Sequence, residues 1–255
     1  MTWDPQQYHR FQAERFAPFH DAVGLVSRRE GMRVVDLGCG TGELTRRLAD
    51  LLPGSVVVGI DSSASMLAKA EAQARPGLRF EQADLRDLHG RWDLIFSHAV
   101  IQWVEDHEQL IPQLVAHLEP GGQLVVQLPS NHTHPSQTEI VATAQEQPFA
   151  QALGGWYRQS PVLSVARYAE LLFASGLENL TVFEKVYPHV LADSDAMVEW
   201  TRGTALLPYI ERLPLDLQAP FLDRYRERLR EHFPASPAFF GFRRIIFAGT
   251  KAAEV

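Results

Sequence analysis

Three carboxylates and a glycine-rich loop are spaced so that they can hold one ligand. Val34-Val35-Asp36-Leu37-Gly38-Cys39-Gly40-Thr41-Gly42 reads as a strand that turns tightly into a helix. Glycines at such a turn let the backbone bend and approach a ligand with no Cβ in the way. Dinucleotide sites use the same turn to hold a pyrophosphate against backbone N–H groups and a helix dipole. Asp36, two positions before Gly38, changes that chemistry. Its carboxylate repels a diphosphate and attracts a cation, such as the α-amino group of an amino-acid moiety; a helix-capping or solvent-facing Asp is the alternative. Asp61 follows Gly42 by 19 residues and ends the run Val57-Val58-Gly59-Ile60. An acid there can accept both hydroxyls of a ribose, and it can also cap the next helix. Asp84, 23 residues further on, ends a third strand. It can accept from an exocyclic adenine amine while Leu85 packs on the ring, or it can simply form a turn.

Positioning these acids requires an alternation of strands and helices. Arg33–Leu37, Ser55–Ile60, Leu78–Gln82, Trp92–Ser97 and Gly122–Leu128 are β-rich runs, and near-continuous Val/Ile/Leu stretches suit strands covered on both faces. Between them Glu43–Leu52, Ser65–Ala74 and Asp106–Leu118 read as helices, the last stopped by Pro120-Gly121-Gly122. This spacing implies βαβ units and a doubly wound parallel sheet. Asn131–Ser160 shows no clean period; Ser164–Ser175 is amphipathic, Leu180–Tyr187 alternates, and Arg244–Thr250 is a last strand. The residues from Ala192 to Pro237 read as mostly helical, too long for a loop, and are expected to form a cap where open α/β folds bind ligands. The expected architecture is one α/β domain over residues 1–255, Rossmann-like, with a seven-stranded mostly parallel sheet and a helical cap inserted near the C-terminus. The sheet would draw on about 30–130, 164–190 and 240–252, the cap on about 1–20, 131–160 and 192–237.

An amine, a ribose and an adenine without a phosphate describe S-adenosylmethionine. On Asp36–Gly42, Asp61 and Asp84 the sequence resembles the class I methyltransferases, from Arg33 to Leu128, and Ser97-His98-Ala99 matches the segment beside the methionine part. Further features are similar to the trans-aconitate methyltransferase family. They are Trp3-Asp4-Pro5 with Tyr8, Phe11 and Ala13-Glu14-Arg15, the run Asp61-Ser62-Ser63 with Met66, and Gln102-Trp103 with Asp106-His107. Tyr187, His189, Trp200 and Phe242-Arg243 extend the likeness. Malonyl-acyl-carrier-protein carboxyl methyltransferases share the fold and the Gln-Trp pair, and stand as the alternative.

The resemblance implies methyl transfer from S-adenosylmethionine to a carboxylate of a small organic acid, trans-aconitate first, with S-adenosylhomocysteine as product. It places Asp36, Gly38, Gly40, Asp61, Ser62, Met66, Asp84, Leu85 and Ser97 at the cofactor, and Arg15, Tyr187, His189 and Arg243 at the acceptor. Tyr8, Gln102 and Trp103 would position the reactants; Trp103 has plain core packing as its alternative, and Arg243 a surface salt bridge. No obligate acid or base is expected, because a carboxyl group is already ionised at neutral pH. One departure is Leu207, where the family pattern carries an arginine; Arg202 is the candidate substitute, and a less charged acceptor is the other reading.

Composition narrows the alternatives. With 45% apolar and 22% charged residues the chain is an ordinary folded protein. Lys and Arg number 24 against 31 Asp and Glu, a net charge of −7 without a basic tract, so neither nucleic acid nor a membrane surface is an expected partner. A single cysteine, Cys39, fits a reducing compartment and reads as a small apolar filler. Without a signal pattern or a stretch of roughly 20 apolar residues, the expectation is a cytoplasmic protein, monomeric or weakly dimeric. The ten histidines show no zinc spacing, so no metal is expected. An NAD-dependent oxidoreductase, opposed by Asp36, and a non-catalytic S-adenosylmethionine-binding module are the competing readings.

Overall fold

Strands β1 (Arg33–Leu37), β2 (Val56–Asp61) and β4 (Trp92–His98) bury the centres of their Val/Ile/Leu/Phe runs, as strands covered on both faces must. The computed structural model describes residues 12–253, with side chains from residue 16 onward. With β3 (Leu78–Gln82), β5 (Leu118–Pro129), β6 (Leu177–Leu191) and β7 (Ala238–Lys251) they form one seven-stranded sheet in the order β3-β2-β1-β4-β5-β7-β6. Pairing is parallel from β3 through β5, and β7 runs antiparallel to β5. The chain winds outward from β1 to β3 and then crosses back to β4. The strand order therefore reverses between β1 and β4, which opens a crevice at their carboxyl ends.

Helices cover both faces. On one, Phe19, Ala22 and Val23 of α1 (Gln12–Val23) and Leu48 of α2 (Glu43–Asp50) pack on Val34, Val57, Leu94 and Phe96. The short α3 (Ala64–Ala70) starts at Ser63, whose hydroxyl accepts the Met66 N–H. On the other face, Leu110, Ile111 and Leu114 of α4 (His107–Ala116) meet Val35, Ile95 and Leu124, together with Tyr168 and Leu172 from further along the chain.

The chain forms two compact units. The sheet unit comprises Arg15–Pro129, Pro161–Lys185 and the chain from Arg244; the second holds Ser130–Ser160 and Val186–Arg243. The second unit contains α5 (Pro135–Ala144), α6 (Phe149–Ala152), α8 (Ser194–Arg202), α9 (Leu207–Ile210) and α10 (Leu215–His232), while α7 (Val165–Ala174) belongs to the sheet unit. The helical unit has its own apolar core of Ile140, Met197, Val198, Phe221 and Leu229. Buried Tyr225 donates to the Ser136 carbonyl across it at 2.8 Å. Among the described residues no helix is long and apolar enough to cross a membrane.

Candidate active site

Strand β1 ends in the glycine turn, and steric demand explains its composition. Gly38 has φ +66°, and a Cβ there would overlap the Val100 side chain; at Gly42, φ +75°, a Cβ would lie 2.7 Å from the Phe80 ring. The turn is tied down by Asp61 at the end of β2. Its Oδ2 accepts the Gly40 N–H at 2.9 Å and its Oδ1 accepts the Ser63 N–H at 2.8 Å. Each carboxylate oxygen has a further lone pair, so both can still accept a ligand hydroxyl. The cap of α3 is Ser63, not Asp61.

A cleft of about 530 Å³ opens beside this turn, a size suited to a nucleoside-sized ligand. Gly38, Asp61, Ser62, Asp84, Leu85 and Trp103 all line it. Trp103 is 47% exposed, so plain core packing is not its role. Asp84 does two things at once. It lines the cleft, and it caps the turn Leu85–Asp87, its Oδ1 accepting the Arg86 N–H and Nε, each at 2.9 Å. Those bonds hold its carboxyl down at about 2. Arg86, which also lines the cleft, was not a sequence candidate; an ion pair two residues apart has no pattern that marks it in advance.

Asp36, Gly40, Met66, Ser97 and Gln102 are not among the residues lining this cleft. Asp36 is 4% exposed, and its Oδ2 accepts the Thr45 hydroxyl at 2.6 Å. Burial pushes its carboxyl up to about 7, against the lowering effect of Thr45; the nearby Asp61 charge adds to the rise. Among the described residues no cation pairs with it. Burial, with the charges of Asp36 and Asp61, pushes the Cys39 thiol upward, so Cys39 is no nucleophile. Ser97 is fully buried, and its hydroxyl has no hydrogen-bond partner among the described residues.

The Gln102-Trp103 segment is held from behind. Gln102 Nε2 donates to the carbonyl of Ala99 at 2.7 Å, where the backbone has φ +56°. His107 is 1% exposed; its Nδ1 meets the Tyr168 hydroxyl, and its Nε2 meets the Ile101 carbonyl at 2.8 Å. Asp106 caps α4 by accepting the Gln109 N–H. The Asp-His pair thus fixes the turn that presents Trp103.

The acceptor candidates Tyr187, His189 and Arg243 belong to the helical unit. Tyr187 is buried, and His189 packs on Trp200 with ring centroids 5.0 Å apart. Arg243 Nη2 donates to Thr133 Oγ1 at 2.6 Å, while its backbone N–H donates to Asn131 Oδ1. Arg202 pairs with Glu199 at 3.7 Å. Leu207 starts α9. Tyr8 and the side chain of Arg15 lie outside the described residues. Among the described residues no group of His, Cys, Asp and Glu is placed to hold a metal ion.

The family model described as a methyltransferase domain matches residues 28–170. Trans-aconitate 2-methyltransferase of Deinococcus radiodurans is 48% identical over 98% of this chain and 99% of its own; that of Variovorax paradoxus is 41% identical over 92% and 91%. Among solved structures, the YcgJ protein of Bacillus subtilis aligns with a TM-score of 0.62 at 16% identity, covering 94% of this chain and all of that one. Haemonchus contortus phosphoethanolamine N-methyltransferase 2, solved with S-adenosylmethionine, aligns at 0.54 and 17% identity over 94% of this chain and 53% of its own. Fold and cleft define an S-adenosylmethionine-dependent methyltransferase of the class I type. Within that class, the chain belongs to the trans-aconitate 2-methyltransferase family.

Proposed function

We propose that this protein methylates a carboxylate of trans-aconitate, giving the methyl ester and S-adenosylhomocysteine. The observation that carries the reading is the acidic lining of the cleft by Asp61 and Asp84, with buried Asp36 at the adjoining turn. Such a lining disfavours a diphosphate and suits a ligand bearing an amine, a ribose and a base. The naming of the relatives supports trans-aconitate as acceptor over a malonyl-acyl-carrier-protein substrate.

When bound, S-adenosylmethionine supplies a methyl group already activated on a sulfonium. Asp61 would accept the ribose hydroxyls, Leu85 and Asp84 would meet the adenine, and Asp36 would face the α-amino group. Gly38, Gly40, Ser62, Met66 and Ser97 complete that assignment. Gln102 fixes the turn, and Trp103 walls the cleft against water, which strengthens the polar contacts inside. No side chain need take a proton, because the acceptor carboxylate arrives ionised. Acceptor contacts by Tyr8, Arg15, Tyr187, His189 and Arg243 belong to the same proposal, as do action on a free small acid without nucleic acid, a monomeric or weakly dimeric state, and a cytoplasmic location.

The test is incubation of the purified protein with S-adenosylmethionine and trans-aconitate, read by mass spectrometry. The expected result is one methyl ester formed per S-adenosylhomocysteine. Tight cofactor binding with no ester from any of a panel of small carboxylic acids would leave only the binding-module reading.

A further inference from the structure

Beside the cofactor turn, the sheet unit holds a polar relay of His98, Gln127 and Arg244. Gln127 on β5 is fully buried. In the amide orientation that satisfies its neighbours, its nitrogen donates to His98 Nδ1 at 2.9 Å. Its oxygen accepts from the Leu128 N–H at 3.0 Å and from Arg244 Nη1 at 3.3 Å. Because Nδ1 of His98 accepts, the proton of the neutral ring sits on Nε2. Burial first, and the Arg244 charge second, hold His98 down at about 3, so the ring stays neutral. The Phe19 ring braces it edge-on, with centroids 5.9 Å apart.

The register fixes where this relay stands. Leu37 pairs with Ser97, so His98 lies level with Gly38 at the mouth of the cofactor turn. His98 pairs with Gln127, and Arg244 pairs with Pro129, at the carboxyl ends of β4 and β5. His98 is half-buried there, and none of the described residues takes its Nε2–H. Arg244 is 8% exposed, a cation joined to the Nδ1 side of the ring through Gln127. A neutral N–H linked in this way to a buried positive charge suits an anionic nucleophile: the field attracts the carboxylate, and the donor has no proton to surrender to it. Arg243, the neighbour singled out by resemblance, instead spends a guanidinium nitrogen on Thr133.

We propose that His98 Nε2–H binds one carboxylate oxygen of the methyl acceptor, and that Gln127 and Arg244 are positioning residues that fix its tautomer. The proposal rests on the carboxyl-methylation reading above. The test uses the full-length protein with S-adenosylmethionine and trans-aconitate, and the variants His98→Phe, His98→Gln and Gln127→Glu. His98→Phe keeps a ring against Phe19 and removes the donor. It should raise the acceptor KM about 10- to 100-fold, the range of one charge-assisted hydrogen bond, and change cofactor Kd by less than about two-fold. His98→Gln restores a donor and should recover part of the loss. Gln127→Glu accepts from His98 and reverses the tautomer, so the acceptor KM should rise with melting temperature and cofactor Kd little changed. Nitrogen-15 spectra of the free wild-type protein should show a protonated Nε2 and an unprotonated Nδ1, whether or not any variant folds.

An unchanged acceptor KM in His98→Phe, an equal loss of cofactor affinity, or a protonated Nδ1 would each overturn the assignment. If the wild type esterifies trans-aconitate and His98→Phe does so equally well, only this inference fails. If the wild type esterifies no carboxylic acid, the functional reading fails, and this one with it.

Discussion

Asp36 carries an energetic conflict that a proton or a bound cation resolves. Its carboxyl stands at about 7, against an ordinary 3.8, because burial disfavours the charge more than the Thr45 hydroxyl supports it. For an acid raised in the folded state, the stability it contributes is present below the unfolded value and lost as pH rises through the folded one. The free protein should therefore lose stability between about pH 4 and pH 7 on account of this group. Asp36→Asn keeps the Thr45 bond and removes the charge. Above pH 7 the free variant should be more stable by on the order of 2 kcal/mol in denaturant unfolding, while binding S-adenosylmethionine far more weakly. In the wild type, calorimetric affinity for the cofactor should rise about ten-fold per pH unit up to about 7 and then level off, because the ligand's ammonium needs the ionised form. A flat profile from pH 5 to 8 would remove Asp36 from the site. Sequence marked Asp36, Asp61 and Asp84 because each ends a strand at a site-forming position. It did not show that Asp84 shares itself with Arg86, or that Thr45 reaches Asp36, since both depend on side-chain directions that spacing leaves open.

Short elements, rather than long ones, present the cleft. The turn Ile101–Trp103 stays in place because His107, on the following helix, meets its first carbonyl and the Tyr168 hydroxyl on α7. Replacing His107 by Leu removes both bonds, leaving the Tyr168 hydroxyl with the Leu163 N–H and the Ile101 carbonyl with the Val104 N–H, and should cost about 1–2 kcal/mol of stability. The same variant should weaken the cofactor several-fold by loosening Trp103; an unaltered cofactor Kd in a destabilised protein would separate the turn from the site. Gly38→Ala meets both a forbidden φ and the Val100 side chain, and should abolish cofactor binding in a protein that still shows its helix and strand spectrum. Element boundaries were legible where apolar runs meet punctuation, as at α7, found at Val165–Ala174 with a Ser164 cap and Gly176 beyond. They were not legible in Asn131–Ser160, which forms α5 and α6 although its polar and apolar residues keep no clear period. There the helices are held by partners distant in sequence, such as Glu146, which takes Arg224 at 2.7 Å. The mixed-charge stretch Asp223–Glu231 supplies Arg224 and Arg228 to Glu139 and Glu146.

Across the whole chain, the alternation of strands and helices up to Leu128 carried the doubly wound sheet, because parallel strands buried on both faces leave an unmistakable run of Val, Ile and Leu. The antiparallel β7 and its neighbour β6 reach well beyond their apolar runs, to Ala238–Lys251 and Leu177–Leu191, because half of β6 is exposed and alternation there is weak. A chain with a net charge of −7 nevertheless serves an anionic acceptor in this account, so local cations must act against the global field. Acceptor KM should accordingly rise little with added salt if those cations are buried as Arg244 is, and steeply if exposed arginines do the work. The most direct measurement is calorimetry of S-adenosylmethionine on the wild type and on Asp61→Ala and Asp61→Asn, with NADH as control ligand. Binding of S-adenosylmethionine but not NADH, weakened at least about 30-fold in both variants, is the predicted result, since the carboxylate that holds the glycine loop would also take the ribose. Equal affinity in the wild type and the variants would contradict the placement of the cofactor in this cleft.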